Sequence, residues 1–305
     1  MRLAGLFIVL VTTCFGQPKD FAGIQKINGA NLFLRIKGHG DHVLVLHGGP
    51  GLNHSYFRPY LDDLEKDFTV VYFDQRASGQ SAIPSVDSIS MKFFTDDIEA
   101  IRKILKADKL NILAHSWGAV LAVRYGMVYP ENVSKMILSN PAMLSREYDH
   151  EAAQLIKQKT SKEDSVERAQ LTAAGALDVK KYERLFQIGF KASAYNNENV
   201  TRINLNLPPN FSEANQTLFT ALMKDPALGA DLYDELKAFN FPVLVIHGEA
   251  DVIPPKSIVR LKESLPQVQL ATFTQSGHFP FVEEKHRYVM VVSRFLRQPK
   301  TKAQH

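Results

Sequence analysis

Short apolar runs alternate with helical patterns along most of this chain, and that rhythm constrains the fold more than any other feature. Segments 43–46, 68–73, 110–113, 135–139, 241–246 and 268–273 read as strands. Between the second and third, Phe94, Ile98, Ile101 and Leu105 recur at i, i+4, i+7 and i+11, one face of an amphipathic helix. Asp97, Glu99, Arg102 and Lys103 fall outside that face. Strands alternating with helices predict βαβ units and a mainly parallel sheet. An opening hairpin precedes them: 24–27, the turn Asn28-Gly29, then 32–36, with Ala30 and Asn31 either lengthening the turn or starting the second strand. A helix over 282–296 closes the pattern.

The rhythm stops from 145 to 240. That stretch is polar and helical in pattern, punctuated by Pro208-Pro209 and by Asn196-Asn197-Glu198-Asn199. The expected organisation is a core of residues 17–144 and 241–305, with a helical cap at 145–240 inserted over the sheet's carboxyl edge. Ligand crevices of parallel sheets lie at that edge. A chain of 305 residues accommodates one large domain with such an insertion.

Residues 1–16 read differently. Arg2 precedes an apolar run over 3–11, followed by Thr12, Thr13 and Gly16, the pattern of a signal peptide cleaved after Gly16. The run is too short to span a bilayer. The mature protein is therefore expected to be exported, periplasmic or secreted. Cys14, the only cysteine, offers a lipid anchor as the alternative, but Val11-Thr12-Thr13 before it fits that signal poorly. In a eukaryotic secretory pathway, sequons at Asn53, Asn132, Asn199, Asn210 and Asn215 would matter. A net charge of +4, without a Lys/Arg run longer than two, excludes an electrostatic grip on nucleic acid.

Chemistry enters at Ala114-His115-Ser116-Trp117-Gly118, between the strand ending at Leu113 and the helical run 119–128. A tight strand-to-helix turn strains the serine backbone and presents its hydroxyl, and small residues two before and two after allow the close packing. A serine needs a base, and the base an orienter. Asp251 and His278 follow late strands in the order Ser, Asp, His, so His278 would take the Ser116 proton and Asp251 would fix its tautomer. His47-Gly48-Gly49-Pro50-Gly51 supplies backbone that can approach a substrate oxygen, and the oxyanion donors are assigned to the N–H groups of Gly49 and Trp117. No Lys-Ser/Thr pair follows these glycines, which argues against phosphate binding. His47, His54, His115 and His247 lack zinc-site spacing, and His115 reads as the variable position of the turn.

Together, His47–Gly51, the run Asp74-Gln-Arg-Ala-Ser-Gly-Gln-Ser81 and the Ser116 turn resemble the proline iminopeptidase family of α/β-hydrolases. The resemblance covers about residues 24–141 and 241–297. It implies the α/β-hydrolase fold, with a mainly parallel eight-stranded sheet and an inserted helical cap. It further implies an enzyme that frees N-terminal proline or another small residue from short peptides, without metal or cofactor. Asp74 and Arg76 are read as holding the loop beside the site. The family grips the substrate's free amine with acidic residues, partly on the cap, but no Trp-x-x-Trp-Glu motif occurs here. The segment 182–190 carries phenylalanines instead, and Val252 follows Asp251 where some relatives have Glu. Glu249, Glu183 and Glu213 are the candidate replacements. The alternatives are a carboxylesterase or lactonase acting on a small apolar ester and a binding protein without turnover. Relatives that process halides or epoxides carry Asp where Ser116 stands.

Overall fold

The computed structural model describes residues 20–299, apart from 174, 176 and 266. The expected signal peptide and Cys14 lie outside the described residues. β1 (Phe21–Ile27) and β2 (Ala30–Gly38) form the opening hairpin. Asn28 and Gly29 both take positive φ, 45° and 78°, as a two-residue hairpin turn demands. Ala30 pairs with Ile27, so it begins the second strand.

Then follow β3 (His42–Leu46), β4 (Thr69–Phe73), β5 (Leu110–His115), β6 (Val133–Ser139), β7 (Val243–Gly248) and β8 (Gln269–Phe273). The eight strands lie in the order β1-β2-β4-β3-β5-β6-β7-β8. Only the β1–β2 and β2–β4 pairs are antiparallel. From β3 the chain steps outward to β4 and then returns to pair β5 on the other side of β3, with Leu46 opposite Ala114. The reversal brings together the loops leaving β3 and β5, which begin at His47 and Ser116. This is where a doubly wound sheet opens a crevice.

Two helices cover one face: α1 (Met91–Ile104) links β4 to β5, and α2 (Trp117–Val128) links β5 to β6. Phe94, Ile98 and Ile101 pack in the core as their period predicts, together with Leu105 just beyond α1. The polar flank of α1 differs from expectation, since Asp97 and Glu99 are also buried. Glu99 accepts hydrogen bonds from Tyr125 Oη (2.9 Å) on α2 and from Arg102. Asp97 receives two bonds from the Arg76 guanidinium, each 2.7 Å, and one from Asn28 Nδ2 at 3.0 Å. Arg76 also donates to the carbonyls of Asn28 and Ser88, so one buried fork joins the hairpin turn, the loop after β4 and α1. Arg76→Ala is expected to destabilise the protein by about 3–5 kcal/mol, because it strands the Asp97 carboxylate in the interior. Urea unfolding measures the loss, and a loss below about 1 kcal/mol would mean that water reaches Asp97.

Between β6 and β7 lie α3 (Asp149–Lys159), α4 (Lys162–Ala173), α5 (Val179–Ala192) and α6 (Phe211–Leu222), with no strand among the described residues. α7 (Pro255–Ser264) follows β7. The single helix expected at 282–296 is instead two, α8 (Pro280–Glu283) and α9 (Lys285–Leu296). Glu284 between them leaves the helical region at φ −125°, ψ 51° and accepts from Ser276 Oγ at 2.7 Å. No described helix is long and apolar enough to cross a membrane. Of the sequons, Asn53 is buried, and its Nδ2, the atom a glycan would occupy, donates to the Leu205 carbonyl at 2.7 Å.

Candidate active site

Ser116 sits alone between β5 and α2, at φ 54° and ψ −121°. That backbone is strained for a residue with a Cβ. Three hydrogen bonds hold it: Ser116 N–H donates to Ser139 O (3.1 Å), and its carbonyl accepts from the N–H groups of Ala119 (2.9 Å) and Ala142 (3.1 Å). Packing explains the small neighbours. A Cβ on Gly118 would stand 2.4 Å from Leu46 O, and one on Gly48 would stand 2.9 Å from Ser116 Cβ. Ala114 is fully buried, so its extra methyl group fits within the strand's packing.

His278 Nδ1 lies 2.7 Å from Asp251 Oδ2. The carboxylate is otherwise saturated: Oδ1 accepts from Val252 N (2.6 Å) and Ile253 N (3.3 Å), and Oδ2 also accepts from Asn140 Nδ2 (2.8 Å). Burial would push the Asp251 carboxyl up, but His278 and Asn140 outweigh it and hold it below the usual carboxylate range. Asn140 follows β6 directly and also donates to Gly277 O at 2.9 Å, tying the acid to the histidine's loop. Sequence reasoning passed over Asn140; its only local sign is its place at a strand's carboxyl end.

The glycine loop is braced by its own histidine. His47 Nδ1–H donates to Gly48 O (2.9 Å), and Nε2 accepts from Gln75 N (3.0 Å). Burial lowers its pKa to about 4, so it serves as a neutral strut. Gln75 Nε2 donates to His47 O (2.8 Å), and Gln75 Oε1 accepts from Trp117 Nε1 (3.2 Å). The expected roles in Asp74-Gln75-Arg76 therefore shift. Gln75 touches both loops of the site, whereas Asp74 secures His54 and Gln80 and Arg76 points away to α1. Gly49 takes φ 127°, a conformation that favours glycine. The Gly48 N–H is occupied by Tyr56 Oη (2.5 Å), which leaves Gly49 as the next donor of the loop. Trp117 is the first residue of α2, and its N–H has no acceptor within its own helix.

α6 approaches this loop with neutral groups. A Cβ on Gly51 would lie 3.3 Å from Leu218 Cδ2 and 3.4 Å from Asn215 Oδ1. On α5, Tyr182, Phe186 and Phe190 form an aromatic stripe against Phe211 and Phe279. Glu249 and Glu213 are exposed and Glu183 is half-buried. Two carboxylates are set against the His278 loop instead: Glu283, which accepts from the N–H groups of Gly277, Tyr195 and Asn196, and Glu284, which accepts from Gln275 N and Ser276 Oγ. Beside the turn, Trp117 and Ala142 help to wall a largely apolar cavity of about 230 Å³, with Met91, Val120, Met143 and Leu228.

With this geometry in view, residues 41–285 match the family model of the alpha/beta hydrolase fold. The proline iminopeptidase of Heyndrickxia coagulans is 26% identical over 266 residues, which span 85% of this chain and 91% of that protein. Among solved structures, an alpha/beta fold family hydrolase from Bacillus anthracis superposes with a TM-score of 0.72 at 20% identity, covering 91% of this chain and 100% of that one. An esterase from Exiguobacterium antarcticum gives a TM-score of 0.66 at 21% identity, covering 91% and 100%. At such identities the structural likeness speaks for the fold.

Proposed function

The chain belongs to the alpha/beta hydrolase family, and from that membership we propose a serine hydrolase that works through an acyl-enzyme and releases N-terminal proline or another small residue from short peptides. The 2.7 Å contact between His278 and Asp251 carries the reading. A carboxylate only accepts, so Nδ1 holds the proton and Nε2 keeps a lone pair for the Ser116 hydroxyl. Ser116 Oγ attacks the scissile carbonyl as His278 Nε2 takes its proton. The N–H groups of Gly49 and Trp117 receive the negative charge that develops on the carbonyl oxygen. His278 then protonates the leaving amine, and water, activated by the same nitrogen, frees the acyl group. The depressed carboxyl of Asp251 stays ionised throughout and stabilises the imidazolium.

The named relative supports the choice of peptides, and helices 145–240 act as a cap over the crevice. Export after cleavage at Gly16 belongs to the same proposal. A second reading, hydrolysis of a small apolar ester, draws on Leu218 and Asn215 beside Gly51 and on the apolar cavity at Trp117. Prolyl and alanyl dyes, their N-acetylated forms and short acyl esters separate the two. The free prolyl dye is expected to be cleaved and its N-acetyl form to be spared. Cleavage that survives acetylation rejects the exopeptidase, and turnover of the esters alone selects the second reading.

A further inference from the structure

Two buried side chains that the reaction above does not use connect the glycine loop to the loop of the base. Tyr56 is 0% exposed and His115 2%. Gly48 N–H donates to Tyr56 Oη (2.5 Å), Tyr56 Oη lies 2.9 Å from His115 Nδ1, and His115 Nε2 lies 2.8 Å from the His278 carbonyl oxygen. Chemistry fixes the direction of each bond. A carbonyl only accepts, so Nε2 of His115 carries the proton. A neutral imidazole has one N–H, so Nδ1 accepts from Tyr56 Oη. Tyr56 Oη, its proton given to His115, accepts from Gly48.

We infer that His115 and Tyr56 are positioning residues that lock the oxyanion loop to the backbone of His278, so that base and oxyanion donors hold one spacing through the reaction. The inference rests on the serine-hydrolase reading of Ser116 and His278. The chain of bonds runs past the nucleophile: His115 immediately precedes Ser116, and Gly48, which donates to Tyr56, packs against its Cβ. On the opposite side, the His278 N–H donates to Ser193 O (2.6 Å), just beyond α5. The peptide on each side of the His278 side chain is thus held, one by the helical insertion and one by His115. An apolar residue would fill the place of His115 among Phe57, Phe279 and Phe281 without loss of hydration. The imidazole instead engages both nitrogens, as a buried polar group must. Burial pushes its pKa well down and the His278 ring adds to this, while the bond to the His278 carbonyl and the charge of Asp251 oppose it without overcoming it, so the imidazole stays neutral.

Three variants take the chain of bonds apart. Tyr56→Phe removes its middle. His115→Asn keeps an acceptor near Nδ1 and loses the bond to His278. His115→Gln keeps an N–H near Nε2. The expected result, on whichever dye or ester the wild type cleaves best, is a kcat lowered about 10- to 100-fold in Tyr56→Phe and His115→Asn, with KM within about threefold of wild type. His115→Gln keeps the bond to His278 but offers Tyr56 no acceptor at the Nδ1 position, so its kcat is expected to fall with the other two. Nitrogen NMR of the folded wild type at about pH 7 is expected to show His115 protonated on Nε2 alone. Wild-type kcat in both Tyr56→Phe and His115→Asn overturns the inference, and so does an Nδ1–H tautomer or an imidazolium at His115. A wild type that takes no fluorophosphonate label at Ser116 overturns the hydrolase reading instead, and the tautomer still decides the wiring.

Discussion

Ser116→Ala is expected to lower kcat by roughly 10⁴- to 10⁶-fold and to abolish labelling by a fluorophosphonate, while leaving the fold intact. The size follows from what is lost. Without the hydroxyl there is no acyl-enzyme, and the oxyanion donors and bound substrate geometry alone retain a small residue of catalysis. A companion variant reads the strain at the same position. Ser116 holds φ 54° and ψ −121° with a Cβ attached, a backbone that costs about 1–3 kcal/mol for any residue but glycine. Ser116→Ala keeps that cost and Ser116→Gly removes it, less the greater freedom that glycine gives the unfolded chain. Ser116→Gly is therefore expected to be the more stable of two inactive proteins, by about 1 kcal/mol in urea unfolding. Equal stability would mean that the strain is no larger than the entropic cost of glycine, and label retained on Ser116→Ala would place the nucleophile elsewhere.

The parts of this site that were legible in the sequence share one property: each is announced by neighbouring residues. Ala114–Gly118 sits between an apolar run and a helical one, Gly48 and Gly49 are adjacent, and Asp251 and His278 each follow a late strand within a few residues. The groups that align them are partners brought together from far along the chain. Asn140 meets Asp251 across 111 residues, His115 meets His278 across 163, and Gln75 reaches Trp117 across 42. No local pattern encodes such pairs, because the sheet creates them by gathering at one edge the segments at the carboxyl ends of β4, β5, β6, β7 and β8. The same cause misplaced Asp97 and Glu99. Periodicity identifies the apolar face of α1, but it cannot foresee that Arg76 and Tyr125 will cover the polar flank. His115 reads locally as the free position of a motif, and its role appears only once Tyr56 and His278 stand on either side of it.

Asp251→Asn is expected to reduce kcat by about 10⁴-fold with little change in KM, because it inverts the tautomer of the base. The hydrogen bonds around residue 251 dictate which way the new amide turns. Val252 and Ile253 donate their N–H groups to Oδ1, so the amide oxygen must stay there. Its NH₂ then faces both His278 Nδ1 and the Nδ2 of Asn140. Against an N–H donor, His278 moves its proton to Nε2, and the nitrogen that should accept from Ser116 becomes a donor. The variant also predicts a change in acid stability. Because the folded carboxyl of Asp251 is held below its unfolded value, its contribution is present above about pH 4 and fades as pH falls further. Asp251→Asn has no such group to protonate, so its Tm is expected to fall less between pH 7 and pH 3 than that of the wild type. Nitrogen NMR of His278 checks the tautomer directly. An Nδ1–H signal in Asp251→Asn, together with the full loss of kcat, would mean that the negative charge of Asp251, rather than its orientation of His278, carries the effect.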